Sequence, residues 1–257
     1  MPTFASFDGL QLNFTQWDGD GSRRRPVVLQ HGFAADTNAN WMGPGVVAAL
    51  TAAGFTVISL DARGHGRSEK PHEESRYSDD TMAHDVSALL DFLELDEVSL
   101  VGYSMGAIIA LGVTAVDKRV RCLATGGVGS GIVDFGGVDT RVVTPEQISA
   151  ALLTDEPHSL PPASAAFRVL ADMLGADRQA LAAVARAARP TQMDLTAITV
   201  PTLVLAGDQD PLAAEPERLA AAIAGARLIR VPGDHLAAIM SPEFSRALVD
   251  FLVAQDV

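Results

Sequence analysis

The hydroxyl of Ser104 stands in GYSMG, residues 102–106, where an apolar run changes character. Val98, Leu100 and Val101 read as a buried strand, and Met105 to Val116 as a helix that opens on small residues. Ser104 therefore falls on the bend between them. Gly102 and Gly106 lack a Cβ and let strand and helix approach closely, and so sharp a bend forces the serine into a strained, exposed position. Taken alone the pattern also fits an ordinary glycine-rich turn, so its meaning depends on what else the chain can bring to that hydroxyl.

A serine hydroxyl is a poor nucleophile at neutral pH and needs a base to take its proton, a role for which histidine is suited. Six histidines compete. His235 follows the final strand-like run in the loop VPGDHLAAI, from which its side chain could fold back over Ser104; the alternative is a surface loop histidine. His72, His84 and His158 lie in polar or inserted segments, and His31 and His65 in loops where shaping the backbone is the expected job. The base in turn needs a carboxylate to hold its tautomer and stabilise the imidazolium. AGDQDPL, after the strand-like PTLVLAG, offers two, Asp208 and Asp210. Asp234 adjoins His235 and is expected to point away from it.

These residues need a scaffold, and the chain supplies an alternation of strands and helices. Extended segments at about 3–7 and 10–17 flank Asp8 and Gly9 as a hairpin. Short apolar runs at 26–30, 55–60, 98–102 and 120–125 suit a sheet covered on both faces, with helical patterns at about 42–53, 79–95 and 105–116 between them. That order predicts an α/β fold with a mainly parallel sheet and helices on both sides. The alternation breaks at about Gly126 and resumes at Pro201 with a strand, a helix at 215–224, the strand ARLIRVPG and a last helix at 242–254. Residues 128–197 therefore read as a small helical cap inserted into a core made of 1–127 and 198–257. The cap opens on GGVGSGIVDFGGVD and continues in alanine-rich helices carrying Leu152, Leu153, Phe167, Leu170, Met173 and Leu174.

At 257 residues and 48% hydrophobic content the chain can build a core of good size. No apolar span of membrane length and no basic-then-apolar leader is visible, so a soluble, cytoplasmic protein is expected. A formal charge of −13 disfavours nucleic acid and anionic membranes as partners. Arg23, Arg24 and Arg25 form the one basic cluster and read as a solvated hairpin tip rather than a phosphate site. The single cysteine, Cys122, lies in a strand-like run and reads as a buried structural thiol, which excludes a disulfide within the chain. Nothing points to a metal or a cofactor; the expected partner is a small-molecule substrate.

Four motifs in order, HGF at 31–33, DARGHGRS at 61–68, GYSMG at 102–106 and GDQD with GDH near the end, resemble the α/β-hydrolase family, in its esterase-like serine branch. The resemblance covers nearly the whole chain outside the cap. It implies an eight-stranded, mostly parallel sheet with the catalytic loops at the carboxyl ends of the strands, and it implies Ser104, Asp210 and His235 as nucleophile, acid and base. Asp208 then caps its loop, and Asp134 is the acid position that some relatives use. The matching oxyanion donors are the backbone N–H groups of Phe33 and Met105, and Phe33, Tyr103 and Leu236 are expected to line the substrate pocket. DARGHGRS is a structural loop in this family, so Asp61, Arg63, His65 and Arg67 are expected to pair locally.

A serine triad implies acyl transfer to water through an acyl-enzyme, on a small to medium carboxylic ester or thioester. Relatives that displace halide or open epoxides carry an aspartate at the nucleophile position, and the tyrosine pair that activates epoxides is missing, since Tyr77 and Tyr103 both lie outside the cap. Carbon–carbon bond hydrolases keep the serine but tend to place tryptophan where this chain has Leu236. Cofactor-free perhydrolases more often have glycine where it has Ala107. A receptor that uses the pocket without catalysis is the alternative of another class. Apolar cap residues suit an apolar acyl or alcohol group; Arg141, Arg168, Arg178, Arg186 and Arg189 are read as solvated helix faces.

Overall fold

A computed structural model describes residues 2–22, 25–156, 159–187 and 193–256. Eight strands form one sheet: β1 (Thr3–Ala5), β2 (Gln11–Trp17), β3 (Val27–Gln30), β4 (Val57–Leu60), β5 (Val98–Tyr103), β6 (Val120–Gly126), β7 (Thr202–Gly207) and β8 (Arg227–Val231), in the spatial order β1-β2-β4-β3-β5-β6-β7-β8. β1 and β2 pair antiparallel, β2 runs antiparallel to β4, and every other pairing is parallel. All residues of β3, β4 and β5 are buried, as the unbroken apolar runs require when helices cover both faces of a sheet.

Helices α1 (Val46–Ala52), α2 (Asp79–Phe92) and α3 (Met105–Val116) follow β3, β4 and β5 respectively. Two cores result. On one face Val86, Leu89, Ile109 and Leu111 pack against Val28, Leu100 and Leu123. On the other, Trp41, Leu50, Phe244 and Leu248 pack against Leu29, Val101 and Leu205. Ser78 caps α2 by accepting from the Thr81 N–H at 3.0 Å, with Asp79 and Asp80 in the first turn. Cys122 is fully buried on β6 and burial pushes its thiol up to about 12, as expected of a structural cysteine.

Between β6 and β7 the chain forms α4 (Ser130–Phe135), α5 (Pro145–Leu153), α6 (Pro162–Met173) and α7 (Arg178–Ala187). Thr144 and Gln147 start α5 with a reciprocal capping box. Val143, Ile148, Leu152, Ala171, Leu181 and Ala182 give this insertion a small core of its own, which reaches the main body through Ala34 and the partly buried Phe33 and Leu212. After β7 come α8 (Pro216–Ala222), β8, α9 (Ala237–Met240) and α10 (Pro242–Gln255). No helix among the described residues is long and apolar enough to cross a membrane.

Three expectations are corrected. The connection from β2 to β3 is not a hairpin, because β4 lies between those strands; Arg25 pairs with the C-terminal end of α10, and Arg23 and Arg24 lie outside the described residues. The helix expected at 42–53 is a π-helical turn, Asn38–Met42, and a separate α1, divided at Gly43–Gly45 where Gly45 has φ 80°. In DARGHGRS the charges do not all pair locally. Asp61 does accept from the Arg67 N–H, but it also takes Thr37 and Asn13, while the fully buried Arg63 reaches Asp85 on α2 and Asp8 in the β1–β2 turn.

Candidate active site

β5 ends at Tyr103, α3 begins at Met105, and Ser104 makes the whole turn with φ 55° and ψ −118°. A non-glycine residue there is strained. The approach that demands it is measurable: a Cβ on Gly106 would lie 1.9 Å from the Gln30 carbonyl oxygen, and one on Gly102 would lie 2.1 Å from the Gly106 carbonyl oxygen. Both positions exclude any side chain, so the two glycines press α3 onto the sheet and leave the serine at its carboxyl edge.

His235 arrives from the β8–α9 loop. Asp208 shapes that loop by accepting from the Gly233 N–H at 2.9 Å, as its expected capping role requires, and Asp234 turns away to accept from the Leu236 and Ala237 N–H groups. Tyr103, next to the serine, donates its hydroxyl to the His235 carbonyl oxygen at 2.7 Å. The imidazole is thereby held at its backbone as well as at its ring.

Asp210 has no exposed side-chain surface. One of its oxygens accepts from the Leu212 and Ala213 N–H groups at 2.9 and 3.3 Å, and the other faces His235 Nδ1 at 2.8 Å. The carboxylate can only accept, so Nδ1 carries the proton and donates; Nε2 is left with its lone pair toward Ser104 Oγ, 3.0 Å away. Hydroxyl, imidazole and carboxylate thus form one directed series, which can draw the proton off Ser104 while the carboxylate steadies the positive ring. Asp134, by contrast, is tied to Arg218 and Arg141.

Beside the serine, a Cβ on Gly32 would lie 3.3 Å from both Ser104 Cβ and the Tyr103 carbonyl oxygen. The Gly32 N–H donates to Asn40 Oδ1 at 2.7 Å, which fixes the loop carrying Phe33. His31 braces the same loop, donating from Nδ1 to the Gly32 carbonyl and accepting from the Ala62 N–H at Nε2. His65 is fully buried, and burial together with neighbouring His31 holds it neutral, down to about 3. His72 pairs with Asp177, and His84 meets the Phe7 ring edge-on. His158 lies outside the described residues.

Two chambers meet at Ser104. The inner one, about 90 Å³, is bounded by Tyr77, Asp79, Met82, Met105, Ile108 and Ile148 among others. The outer, about 400 Å³, is bounded by Tyr103, His235, Leu236, Ile239 and Met240 and by α6. Phe33, Phe167 and Leu212 border both, and the rings of Phe33 and Phe167 meet edge-on with centroids 5.8 Å apart. Of the residues expected at the pocket, Phe33 stands at this neck and Leu236, 56% exposed, at the outer rim. Tyr103 is buried in the floor against Phe244.

No arginine among the described residues borders either chamber. Arg141 is bound to Asp139 and Ser130, Arg186 to Glu74 and Ser149, and Arg178 lies near Asp172. Arg168 is not on a solvated face: it is buried, holding Asp172 and the carbonyls of Ala151 and Thr154. Arg189 lies outside the described residues. Asn40, the Tyr103 hydroxyl and Asp79 carry no signal in the sequence, since each reads as an ordinary loop, strand or helix-start residue.

Comparison with known proteins agrees with this architecture. Residues 25–134, from β3 through α4, match the family model described as alpha/beta hydrolase fold. A Synechocystis protein, provisionally named as a non-heme chloroperoxidase, is 31% identical over 240 residues, 81% of this chain and 83% of that protein. The acetyltransferase component of the acetoin cleaving system of Pseudomonas putida is 36% identical over 137 residues, and the matches to it and to a Kitasatospora aureofaciens non-heme chloroperoxidase span only 34% and 35% of those proteins. Among solved structures, the enol-lactonase of Burkholderia xenovorans superposes with a TM-score of 0.79 at 26% identity, covering 98% of this chain and 100% of that one. Identity sustained along four fifths of a relative, on the same eight-stranded frame, shows that the chain belongs to the α/β-hydrolase family.

Proposed function

We propose that the protein is a serine hydrolase that cleaves a small to medium carboxylic ester or thioester through an acyl-enzyme. The observation that carries this reading is the directed series Ser104–His235–Asp210 opening onto a divided, largely apolar cavity. Ser104 Oγ attacks the substrate carbonyl as its proton passes to His235 Nε2, and the charge that develops on the carbonyl oxygen is met by the Phe33 and Met105 N–H groups, neither of which is engaged elsewhere among the described residues. The ester C–O bond then breaks and His235 returns the proton to the leaving oxygen. Water, deprotonated by the same imidazole, releases the acid.

The two chambers divide the substrate. His235 borders only the outer one, and a base that must hand its proton to the leaving group needs that group beside it, so the alcohol occupies the outer chamber and the acyl chain the inner. The helical insertion, through α5, α6 and α7, serves as the cap over both. A perhydrolase reading shares the acyl-enzyme and differs only in letting peroxide attack it; the names of the chloroperoxidase relatives favour it as the second reading.

Hydrolysis of p-nitrophenyl esters of graded acyl length, by the wild type and Ser104→Ala side by side, tests the proposal, with a peroxide arm for the second reading. Short acyl chains are expected to turn over best, because the inner chamber is the smaller. Ser104→Ala should lose about 10⁶ in kcat, which is to background, while keeping its circular dichroism spectrum. Turnover that survives the substitution would overturn the mechanism.

A further inference from the structure

Asp79 is placed where the mechanism has no use for a charge. It opens α2 on the wall of the inner chamber, among Met82, Ile108 and Ile148, and its carboxylate makes no hydrogen bond or ion pair among the described residues. The other polar groups on that wall are differently placed: Tyr77 donates to the Pro71 carbonyl, Ser78 caps the helix, and Thr140 offers a hydroxyl. Burial, with Asp80 adjacent, pushes the Asp79 carboxyl up to about 6, so it is ionised at neutral pH at a cost to the fold. Helix α2 does not depend on it, since Ser78 fills the cap and the exposed Asp80 supplies a first-turn acid. No arginine or lysine among the described residues borders the chamber to neutralise it.

A partly buried carboxylate without an ion-pair partner is held at a cost, and a cation brought into the same poorly solvated space forms a stronger hydrogen bond than it would in water. We infer that Asp79 is a cation subsite at the acyl end of the cavity, selecting short acyl groups that end in a primary ammonium. The inference rests on the serine-hydrolase reading for its acyl assignment. The inner chamber, the narrower of the two, suits an unbranched chain with a compact head better than a bulky quaternary one. The formal charge of −13 over the chain favours the approach of a cation and opposes that of an anionic acyl group.

The test is a pair of methyl ester series, ω-amino acids of three to six carbons against the matching unsubstituted acids, followed by pH-stat at pH 7.5. The variants are Asp79→Asn, Asp79→Leu and, as a control for general attraction, Asp80→Asn. The wild type and Asp80→Asn are expected to favour the best amino ester over its alkyl counterpart at least tenfold in kcat/KM, and both Asp79 variants to lose that preference. A wild type that does not distinguish the series, or a preference that survives in Asp79→Asn or disappears in Asp80→Asn, overturns the subsite. Binding supplies a second readout that needs no turnover: butylammonium chloride should raise the melting temperature of wild type and Ser104→Ala more than butanol does, and not that of Asp79→Asn. Asp79-dependent stabilisation without hydrolysis of either series leaves the subsite standing and removes the hydrolase reading; hydrolysis with neither preference nor stabilisation does the reverse.

Discussion

Replacing Asp210 by asparagine tests the directed series at its most constrained member. The substitution is isosteric, and the asparagine carbonyl can keep the two backbone bonds from Leu212 and Ala213 at 2.9 and 3.3 Å. Its amide must then face His235 Nδ1 across the present 2.8 Å contact, where two N–H donors would meet. The imidazole relieves that clash by moving its proton to Nε2. Oγ of Ser104 then faces a donor instead of the lone pair now 3.0 Å away, and the base is lost. Among serine hydrolases the wrong tautomer costs about 10⁴ in kcat, equivalent to about 5 kcal/mol of barrier. KM should hardly move, because Asp210 borders neither chamber. Steady-state hydrolysis of the best p-nitrophenyl ester, with circular dichroism to check folding, gives the number. Asp208→Asn is the matched control: among the described residues its carboxylate accepts from the Gly233 N–H alone, at the loop surface, so a loss below about tenfold is expected. If Asp210→Asn stays within tenfold of wild type, or Asp208→Asn proves the more damaging, the assignment of the acid fails.

Two further outcomes follow from the same geometry. Tyr103→Phe removes the donor 2.7 Å from the His235 carbonyl and should lower kcat by about tenfold at unchanged KM, with a loss of about 1–2 kcal/mol in urea unfolding; an unchanged kcat would show that the backbone of His235 needs no such anchor. For Asp79 the folded-state carboxyl sits at about 6 against 3.8 for the usual value, so the native state binds the extra proton and its stability falls as pH rises from about 4 through 6. Asp79→Asn should therefore match wild type near pH 4 and exceed it by about 1–2 kcal/mol at pH 7.5, less than the full shift because the side chain is only partly buried and some helix-dipole stabilisation is lost with the charge. Urea titrations at the two pH values decide it, and a variant less stable than wild type at pH 7.5 would contradict the burial argument.

The order of the elements and the residues of the series were legible because each rests on a local constraint. Gly102 and Gly106 had to be glycine for a strand to turn directly into a helix, and that requirement is written at fixed offsets from Ser104. His235 and Asp210 each follow a strand, and parallel strands deliver such loops to one edge of the sheet. What escaped was set by partners far away in sequence. The strand order that places β4 between β2 and β3 undoes the hairpin expected around Arg25. Arg63 finds Asp8 and Asp85 only once α2 has packed, and Arg168, one of several similar arginines on alanine-rich helices, is buried where the C-terminal end of α5 offers it two carbonyls.

Ser104 and Asp79 are exceptions of one kind. Every other buried charge discussed above has a partner: Arg63 its two carboxylates, Asp61 its hydroxyl and amide donors, Asp210 its imidazole. Ser104 instead holds a left-handed backbone conformation that a non-glycine residue enters only at a cost of about 1–3 kcal/mol, and Asp79 holds an unpaired charge in an apolar wall. The strain at Ser104 has an evident return, since no relaxed turn would put its hydroxyl on the Nε2 of His235. Among the described residues the charge at Asp79 has only the N-terminal dipole of α2 beside it, and the proposed subsite takes the compensating cation from outside. The chamber it borders leads to the same serine.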